Sequence, residues 1–186
     1  MAHYCSNSIY LCSRSREQLT DLARRLQQVQ GDSMADLLQA CGLQQVDVDL
    51  RDRVGYVQEQ VAQGRDCYYL SLETETAWQP HMEAWQRLVE QSPGLWLYYC
   101  SEEPSMDLYE TNDGEQRFFK DRYRVEYALK GREDCCYLKN EQALQQALLE
   151  LTGKEYGPME VQELERRAGQ NLVGEEYIRI REFVVK

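Results

Sequence analysis

The chain has 186 residues, enough for one domain with an extension or for two small lobes. Hydrophobic residues make up 42% of it and 13 residues are tyrosines, so the sequence predicts a packed core and excludes wholesale disorder. The formal net charge of −11 argues against direct binding of DNA or of an anionic membrane surface, since both are recognised through lysine and arginine. No stretch approaches the roughly 18 consecutive apolar residues of a membrane span.

The N-terminal segment has neither a positively charged leader nor a long apolar run, so no signal peptide is predicted. Seven cysteines are scattered along the chain, and without an export signal they indicate reduced thiols and a cytoplasmic protein. There is no glycine-rich phosphate loop, no C-x-x-C pair and only two histidines. The sequence therefore predicts no metal and no cofactor.

In chain order, the first third predicts a strand followed by helices. Asn7 to Ser13 alternates and is rich in β-formers, which is typical of a strand. Ser15 is placed to cap a helix whose leucines recur at helical spacing until Gly31 stops it. A short helix is predicted from Ser33 to Cys41, and the segment from 45 to 64 fits either a loop or an edge strand.

Strands and helices also follow one another in the central and last thirds of the chain. Asp66 to Thr76 predicts a strand, a helix is expected to start with Pro80 in its first turn, and residues 95–101 predict a buried strand. Residues 106–131 favour a long hairpin that turns at Asn112-Asp113-Gly114. A short strand, two helices and a final strand are predicted after it. This order indicates an α+β sandwich with helices on one face of a mainly antiparallel sheet.

Motifs in the first two thirds of the chain resemble a known family. They are a "YCSN" start, then "LETETAWQP" before a helix, then an aromatic strand that ends in a glutamate pair. The residues that carry the resemblance are Asn7, Glu75, Trp78, Pro80, Trp96, Glu102 and Glu103. The pattern is similar to the YubB/Api92-like ferredoxin-like family, found on plasmids, phages and in their bacterial hosts.

The resemblance implies a ferredoxin-like domain over residues 1–130 and a C-terminal extension over residues 131–186 packed on it. It implies a mobile-element setting but no activity, since the family has no assigned function. The chain departs from the expected pattern after the glutamate pair, where Pro104-Ser105-Met106 replaces a glycine-containing turn.

Charge is unevenly distributed along the chain. Residues 66–115 contain eleven acidic side chains and a single basic one, Arg87, whereas the flanking segments are nearly balanced. One interpretation is a solvated face that keeps the protein soluble. The sharper interpretation is a patch that binds a protein with a basic, nucleic-acid-binding groove, such as a defence nuclease, with aromatic anchors beside the carboxylates. The predicted partner-binding residues are Glu73, Glu75, Trp78, Glu102, Glu103, Asp107, Glu110 and Asp113.

Two other classes of function remain open. Paired carboxylates at 73/75 and 102/103 would suit acid–base chemistry of a hydrolase or transferase, although no third group with a defined role accompanies them. His81 could serve a cysteine nucleophile, but a surface histidine is the commoner role of such a residue. The segment from 116 to 132 is locally basic with interleaved aromatic residues, which keeps an RNA-binding module as an alternative. The prediction is a non-enzymatic interaction protein.

Overall fold

The computed structural model describes residues 3–29, 33–43 and 51–186. The chain forms two compact units, the first comprising Met1–Gly114 with Lys186 and the second Glu115–Val185. Residue 130, the end of the ferredoxin-like domain in the sequence-based division, lies inside the second unit. Gly31, the expected helix stop, and the undecided segment at 45–50 lie outside the described residues.

The first unit is an antiparallel sheet with helices on one face. Its strands are β1 (Tyr4–Ser13), β2 (Arg53–Val57), β3 (Ala62–Gln63), β4 (Tyr68–Ala77), β5 (Leu95–Glu103) and β6 (Leu108–Thr111). Its helices are α1 (Arg16–Gln27), α2 (Met34–Ala40) and α3 (Met82–Gln91), and a short 3-10 turn spans Pro104–Met106. The strand order is β6-β5-β1-β4-β2, with β3 also paired to β4. A mixed α and β fold with a mostly antiparallel sheet is thereby confirmed.

Period-two alternation decides which side chains of this sheet meet the helices. Ile9 and Leu11 on β1 and Leu70 and Leu72 on β4 are fully buried, and they pack against helix residues such as Trp85. Directly opposed residues of neighbouring strands share a face, so the intervening side chains of β1, β4 and β5 lie on the face opposite the helices.

Two of the three helix starts in this unit follow from capping serines. The hydroxyl of Ser15 accepts from the Gln18 N–H, and that of Ser33 accepts from the Asp36 N–H. The third helix differs from the sequence prediction, because Pro80 precedes it and does not lie in its first turn. His81 occupies the N-cap of α3 with a left-handed backbone (φ 50°) and gives no side-chain cap.

The second unit is smaller and also combines an antiparallel sheet with helices. It contains β7 (Tyr123–Leu129), β8 (Arg132–Leu138), α4 (Glu141–Thr152), α5 (Val161–Gly169) and β9 (Tyr177–Glu182), and the chain ends with the short β10 (Val184–Val185). The strand order is β8-β7-β9, all antiparallel. The core is apolar and is formed by Val125, Leu144, Leu148, Leu164, Ala168, Ile178 and Ile180.

The predicted long hairpin around Asn112-Asp113-Gly114 is wrong. β6 pairs with β5, and β7 pairs with β8 and β9. The Asn112 side chain accounts for part of the difference, because it accepts from the Tyr99 N–H at 2.7 Å and donates to the Leu97 carbonyl at 3.1 Å, which extends the contact with β5. The tight hairpin is β7–β8, whose two turn residues, Lys130 (φ 51°) and Gly131 (φ 76°), have the positive φ values that such turns require.

None of the helices in the described residues combines the length and apolarity needed to cross a bilayer.

Candidate functional site

Three carboxylates of the acidic segment 66–115 lie together on the face of the first sheet opposite the helices. Ser6 on β1 is opposed by Glu75 on β4 and by Glu102 on β5, and the next such position, Ser8, is opposed by Glu73. Glu75 and Glu102 therefore flank one strand, with backbones about 10 Å apart. We call Glu73, Glu75 and Glu102 the acidic face.

Two members of the acidic face are available to a partner. Glu73 and Glu75 are exposed, and neither makes a hydrogen bond or ion pair with a described residue. Tyr56, 49% exposed, is opposed to Glu73, because β2 has a bulge at Gly55 that changes its register. These two carboxylates thus lie beside an exposed aromatic ring and, at Glu75, opposite the exposed Arg53 of β2, whereas Glu102 is half-buried.

The opposite half of the same face is aromatic. Tyr10 on β1 is opposed by Tyr98 on β5, and the ring of Tyr10 meets that of Tyr69 edge-on, with centroids 5.5 Å apart. Trp96 follows one position further along, opposite Cys12. These rings are half-buried, so the sheet face changes from aromatic at one end to acidic at the other.

The remaining predicted carboxylates do not join the acidic face. Glu103 points to the helix side and is buried, and Asp113 is also buried. Glu110 accepts from the Tyr99 hydroxyl at 3.2 Å and forms an ion pair with Lys186 at 3.4 Å. Asp107 is exposed in a left-handed turn (φ 57°) after the 3-10 turn. Some carboxylates of the acidic segment 66–115 therefore lie on an exposed surface, whereas others have structural roles.

A second group of polar side chains gathers where β1 begins and β4 and β5 end. It consists of His3, Asp52, Trp78, His81, Glu103 and Ser105, which we call the sheet-end cluster. Asp52 is the buried anchor of its first part, with Oδ1 accepting from the Ala77 N–H at 2.9 Å and Oδ2 lying 2.8 Å from His81 Nδ1. This contact places a proton on Nδ1 and directs the Nε2 lone pair of a neutral His81 away from Asp52.

The second part of the cluster joins His3 to a buried carboxylate through a serine. Ser105 Oγ donates to Glu103 Oε1 and also contacts His3 Nδ1, which itself lies 3.5 Å from Glu103 Oε1. The single hydroxyl proton of Ser105 goes to Glu103, so His3 donates from Nδ1. The His3 ring packs against that of Trp78 with centroids 5.0 Å apart, and Trp78 is 41% exposed.

Competing effects set the charge state of Glu103. Burial raises its pKa, but hydrogen bonds from the Ser105 hydroxyl and the Met106 N–H, together with the positive charge of a protonated His3, lower it further than burial raises it. The pKa of Glu103 consequently lies below its usual value, and the side chain is a carboxylate at neutral pH.

A buried polar network centred on Asn7 supports this end of the sheet. Asn7 Nδ2 donates to Thr76 Oγ1 at 2.9 Å, and Asn7 Oδ1 accepts from the Ser101 hydroxyl at 2.7 Å, so one amide connects three strands. Thr76 in turn donates to the Gln79 carbonyl at 2.6 Å, which fixes the loop that carries Trp78. The motif asparagine of the sequence thus has a structural role beneath the cluster.

Backbone strain accumulates at the same place. Trp78 (φ 70°), His81 (φ 50°) and Asp107 (φ 57°) all adopt the left-handed conformation that side chains with a Cβ disfavour. Such residues persist only where surrounding contacts hold them, and they concentrate at functional sites. Both the acidic face and the sheet-end cluster therefore belong to the candidate site, with Trp78 at their common end.

The sequence identified Trp78 and Glu103 but missed His3, Asp52 and Ser105. These residues are far apart in the chain and have no motif spacing. The one signal in the sequence was that the chain has just two histidines. In the structure, both histidines pair with carboxylates. Among the described residues, no group of three or more histidine, cysteine or acidic side chains is arranged to hold a metal ion.

No family model, no curated protein and no solved structure matches this chain. Its function must therefore be inferred from its own residues.

Proposed function

We propose that the protein is a non-enzymatic recognition protein whose first unit binds a partner protein with a basic surface through the acidic face and Trp78. The observation that carries the proposal is the pair of exposed carboxylates, Glu73 and Glu75. Neither forms an ion pair with a described residue, although Arg53 on β2 is directly opposed to Glu75. The two carboxylates lie two residues apart on one strand and therefore face the same way, about 6.6 Å apart along the backbone.

The aromatic residues beside these carboxylates suit a protein partner. Tyr56 and Trp78 are among the large exposed hydrophobic side chains of the described residues. Large rings with a polar atom are enriched among the residues that dominate binding energy, while carboxylates speed encounter with a positively charged partner. A basic groove that normally holds nucleic acid, as in a nuclease of a defence system, offers the complementary charge.

The strand order supports the ferredoxin-like assignment made from the motifs. β5-β1-β4-β2 places β4 between β1 and β2, with α1 and α2 linking β1 to β2 and α3 linking β4 to β5. With that assignment comes the setting of a plasmid or phage. An acidic protein of such an element would act by occupying the groove of a host or competitor protein.

Charge reversal tests the proposal on a purified basic, non-specific DNA nuclease, measured by biolayer interferometry. The double variant Glu73→Lys/Glu75→Lys is expected to weaken binding by about tenfold, and added salt should weaken wild-type binding. The matched control is Glu83→Lys/Glu90→Lys, which makes the same charge change on two exposed positions of α3. If both variants lose affinity equally, the effect is due to net charge and not to the acidic face. If neither variant loses affinity, the acidic face is not the binding surface.

A second candidate, hydrolysis by the sheet-end cluster, is favoured by the contact of Ser105 with both His3 and Glu103. A fluorophosphonate probe, which reacts with activated serines, discriminates the two functions. Labelling of Ser105 that is lost in Ser105→Ala would establish a reactive serine and contradict the non-enzymatic proposal. We expect no labelling, because the Met106 N–H already donates to Glu103 Oε2 at 2.6 Å and is not available to stabilise an oxyanion.

A further inference from the structure

The face of the second unit's sheet opposite α4 and α5 carries a pattern of arginines and tyrosines. Residues directly opposed across the three strands form one row of Tyr137, Arg124 and Arg181 and a neighbouring row of Cys135, Glu126 and Arg179. Tyr177 lies two residues before Arg179 on the same face of β9. We call Arg124, Tyr137, Tyr177 and Arg179 the arginine–tyrosine face.

Two arginines of this sheet face lie over tyrosine rings, whereas Arg181 forms an ion pair with Glu165 of α5. The Arg179 guanidinium carbon is 4.9 Å from the centroid of Tyr177, and that of Arg124 is 5.7 Å from the centroid of Tyr137. A guanidinium stacked in this way keeps its N–H groups at its edge for an anion. Tyr137 itself is 43% exposed.

The acidic side chains of this face are already engaged. Glu126 forms an ion pair with Arg124 at 2.6 Å, and Glu133 accepts from the Tyr177 hydroxyl at 2.9 Å. Arg179, by contrast, is exposed and has no ion pair with any described residue. Its charge is therefore available to a ligand.

Two lysines add to this charge at the Tyr137 end of the sheet. The side-chain amide of Gln116 donates to the carbonyls of Lys120 at 2.9 Å and Lys139 at 3.0 Å, which holds the two lysine backbones side by side. Lys139 follows Tyr137 by two residues, directly after β8 ends. Both lysines are exposed, and within the described chain neither has a carboxylate partner.

We propose that the arginine–tyrosine face binds single-stranded RNA, with Tyr137 stacking on a base and Lys120, Lys139 and Arg179 contacting phosphates. Exposed rings with nearby cations are the usual means by which a sheet binds an unpaired strand. The net charge of the whole chain does not oppose this, because the acidic excess lies in residues 66–115 and residues 116–186 contain 13 basic and 13 acidic side chains.

The carboxylates of the face favour RNA over DNA. Glu126 and Glu133 lie among the arginines and tyrosines on the same strands, and their remaining lone pairs can accept from a ribose 2′-hydroxyl. Deoxyribose has no such donor and would leave only the negative charge of these groups facing the strand. The proposal stands independently of the partner of the first unit, since it uses residues of the second unit alone.

Fluorescence anisotropy of the full chain with a labelled oligouridine of about 12 nucleotides tests the proposal. With about three phosphate contacts, the logarithm of the association constant should fall with the logarithm of salt concentration at a slope of about −2. Tyr137→Ala is expected to weaken binding about tenfold. Lys139→Glu/Arg179→Glu should weaken it by at least as much and reduce the salt slope by about 1.4.

The single charge reversal Lys154→Glu is the control, because Lys154 is exposed in the loop after α4 and lies outside the face. Its binding should equal that of wild type, and oligothymidine of the same length should bind more weakly than oligouridine. The proposal is overturned if wild type does not bind oligouridine at low salt, or if the face variants and Lys154→Glu lose affinity equally. Equal or tighter binding of oligothymidine would overturn the assignment to RNA.

Discussion

The two units differ in what they bury beneath similar sheets. Nine polar or charged side chains are buried in the described part of the first unit, among them Asn7, Asp52 and Glu103. The second unit, described throughout, buries only apolar side chains. A buried polar group contributes little to the free energy of unfolding when it is hydrogen-bonded, and it is strongly destabilising when it has no partner. Its hydrogen bonds do, however, fix the positions of the segments that they join. The contrast indicates that the polar groups within the first core position a site, whereas the apolar core of the second unit stabilises the sheet that covers it.

The largest effect is expected from the apolar core of the second unit. Leu148→Ala removes a fully buried side chain and should lower the free energy of unfolding by about 2–5 kcal/mol. Denaturant unfolding followed by far-UV circular dichroism measures this loss, and hydrogen exchange localises it to residues 123–182. Leu148→Met keeps the volume and should cost less than about 1.5 kcal/mol. A loss below about 1 kcal/mol for Leu148→Ala would show that this core repacks easily.

Replacing the polar network of the first unit should have a different signature. Asn7→Ala leaves the buried Ser101 hydroxyl without its acceptor and should cost about 1–3 kcal/mol. Thr76 loses the donor Asn7 Nδ2 but keeps its own bond to the Gln79 carbonyl. The triple variant Asn7→Leu/Thr76→Val/Ser101→Ala makes this region apolar, like the second core, and should recover most of the loss. Tryptophan fluorescence suits the measurement, because all three tryptophans lie in the first unit. If the destabilisation of the triple variant equals the sum of the three single substitutions, the three side chains do not act as one network.

A smaller effect that depends on pH is expected at Glu103. Because the native pKa is below the unfolded value of ~4.3, the carboxylate stabilises the fold at neutral pH and this contribution disappears as the pH falls through the native pKa. Glu103→Gln should therefore be less stable than wild type by about 1 kcal/mol at pH 7, with the difference narrowing as the pH falls below ~4.3. Urea midpoints across this range measure it. The control is Glu73→Gln, which removes an exposed carboxylate with no described hydrogen-bond or ion-pair partner and should leave the urea midpoint at pH 7 unchanged.

The smallest effect is expected at the surface of the second unit. Hydrogen bonds from the Arg166 and Arg167 side chains lower the pKa of Glu163 to about 2, yet all three side chains lie on the solvent side of α5. Solvent screens such pairs, so Glu163→Gln should leave the unfolding midpoint within experimental error at neutral pH. A carboxyl titration by NMR should nevertheless detect the lowered pKa. A measurable destabilisation would mean that charges on this helix matter more than its exposure suggests.

Local patterns sufficed for most of the secondary structure. Alternation predicted β1 and β4, leucine spacing with Ser15 predicted α1, and α2 and the helices and strands after residue 131 were also anticipated. The same alternation placed Glu73 and Glu75 on one face of β4. These features depend on neighbours within a few residues, which the sequence contains directly.

Contacts between distant segments could not be read in the same way. The turn signal at Asn112-Asp113-Gly114 was misleading, because the Asn112 amide bonds to the backbone of β5. Glu102 and Glu103 looked like one exposed pair, but adjacent strand residues point to opposite faces, and only the second is buried. Asp52 and His81 meet because β2 lies beside β4, a pairing that no spacing encodes.

The position of Cys135, in one row with Glu126 and Arg179 of the arginine–tyrosine face, has a practical consequence. It is the exposed cysteine among the seven, whereas burial raises the pKa of Cys5 and Cys41 to about 12 and that of Cys136 above its ordinary value. Since the thiolate is the reactive form, a maleimide dye added near neutral pH should attach there first. The chain thus provides a native attachment point for an optical probe on the surface where a bound strand would quench it.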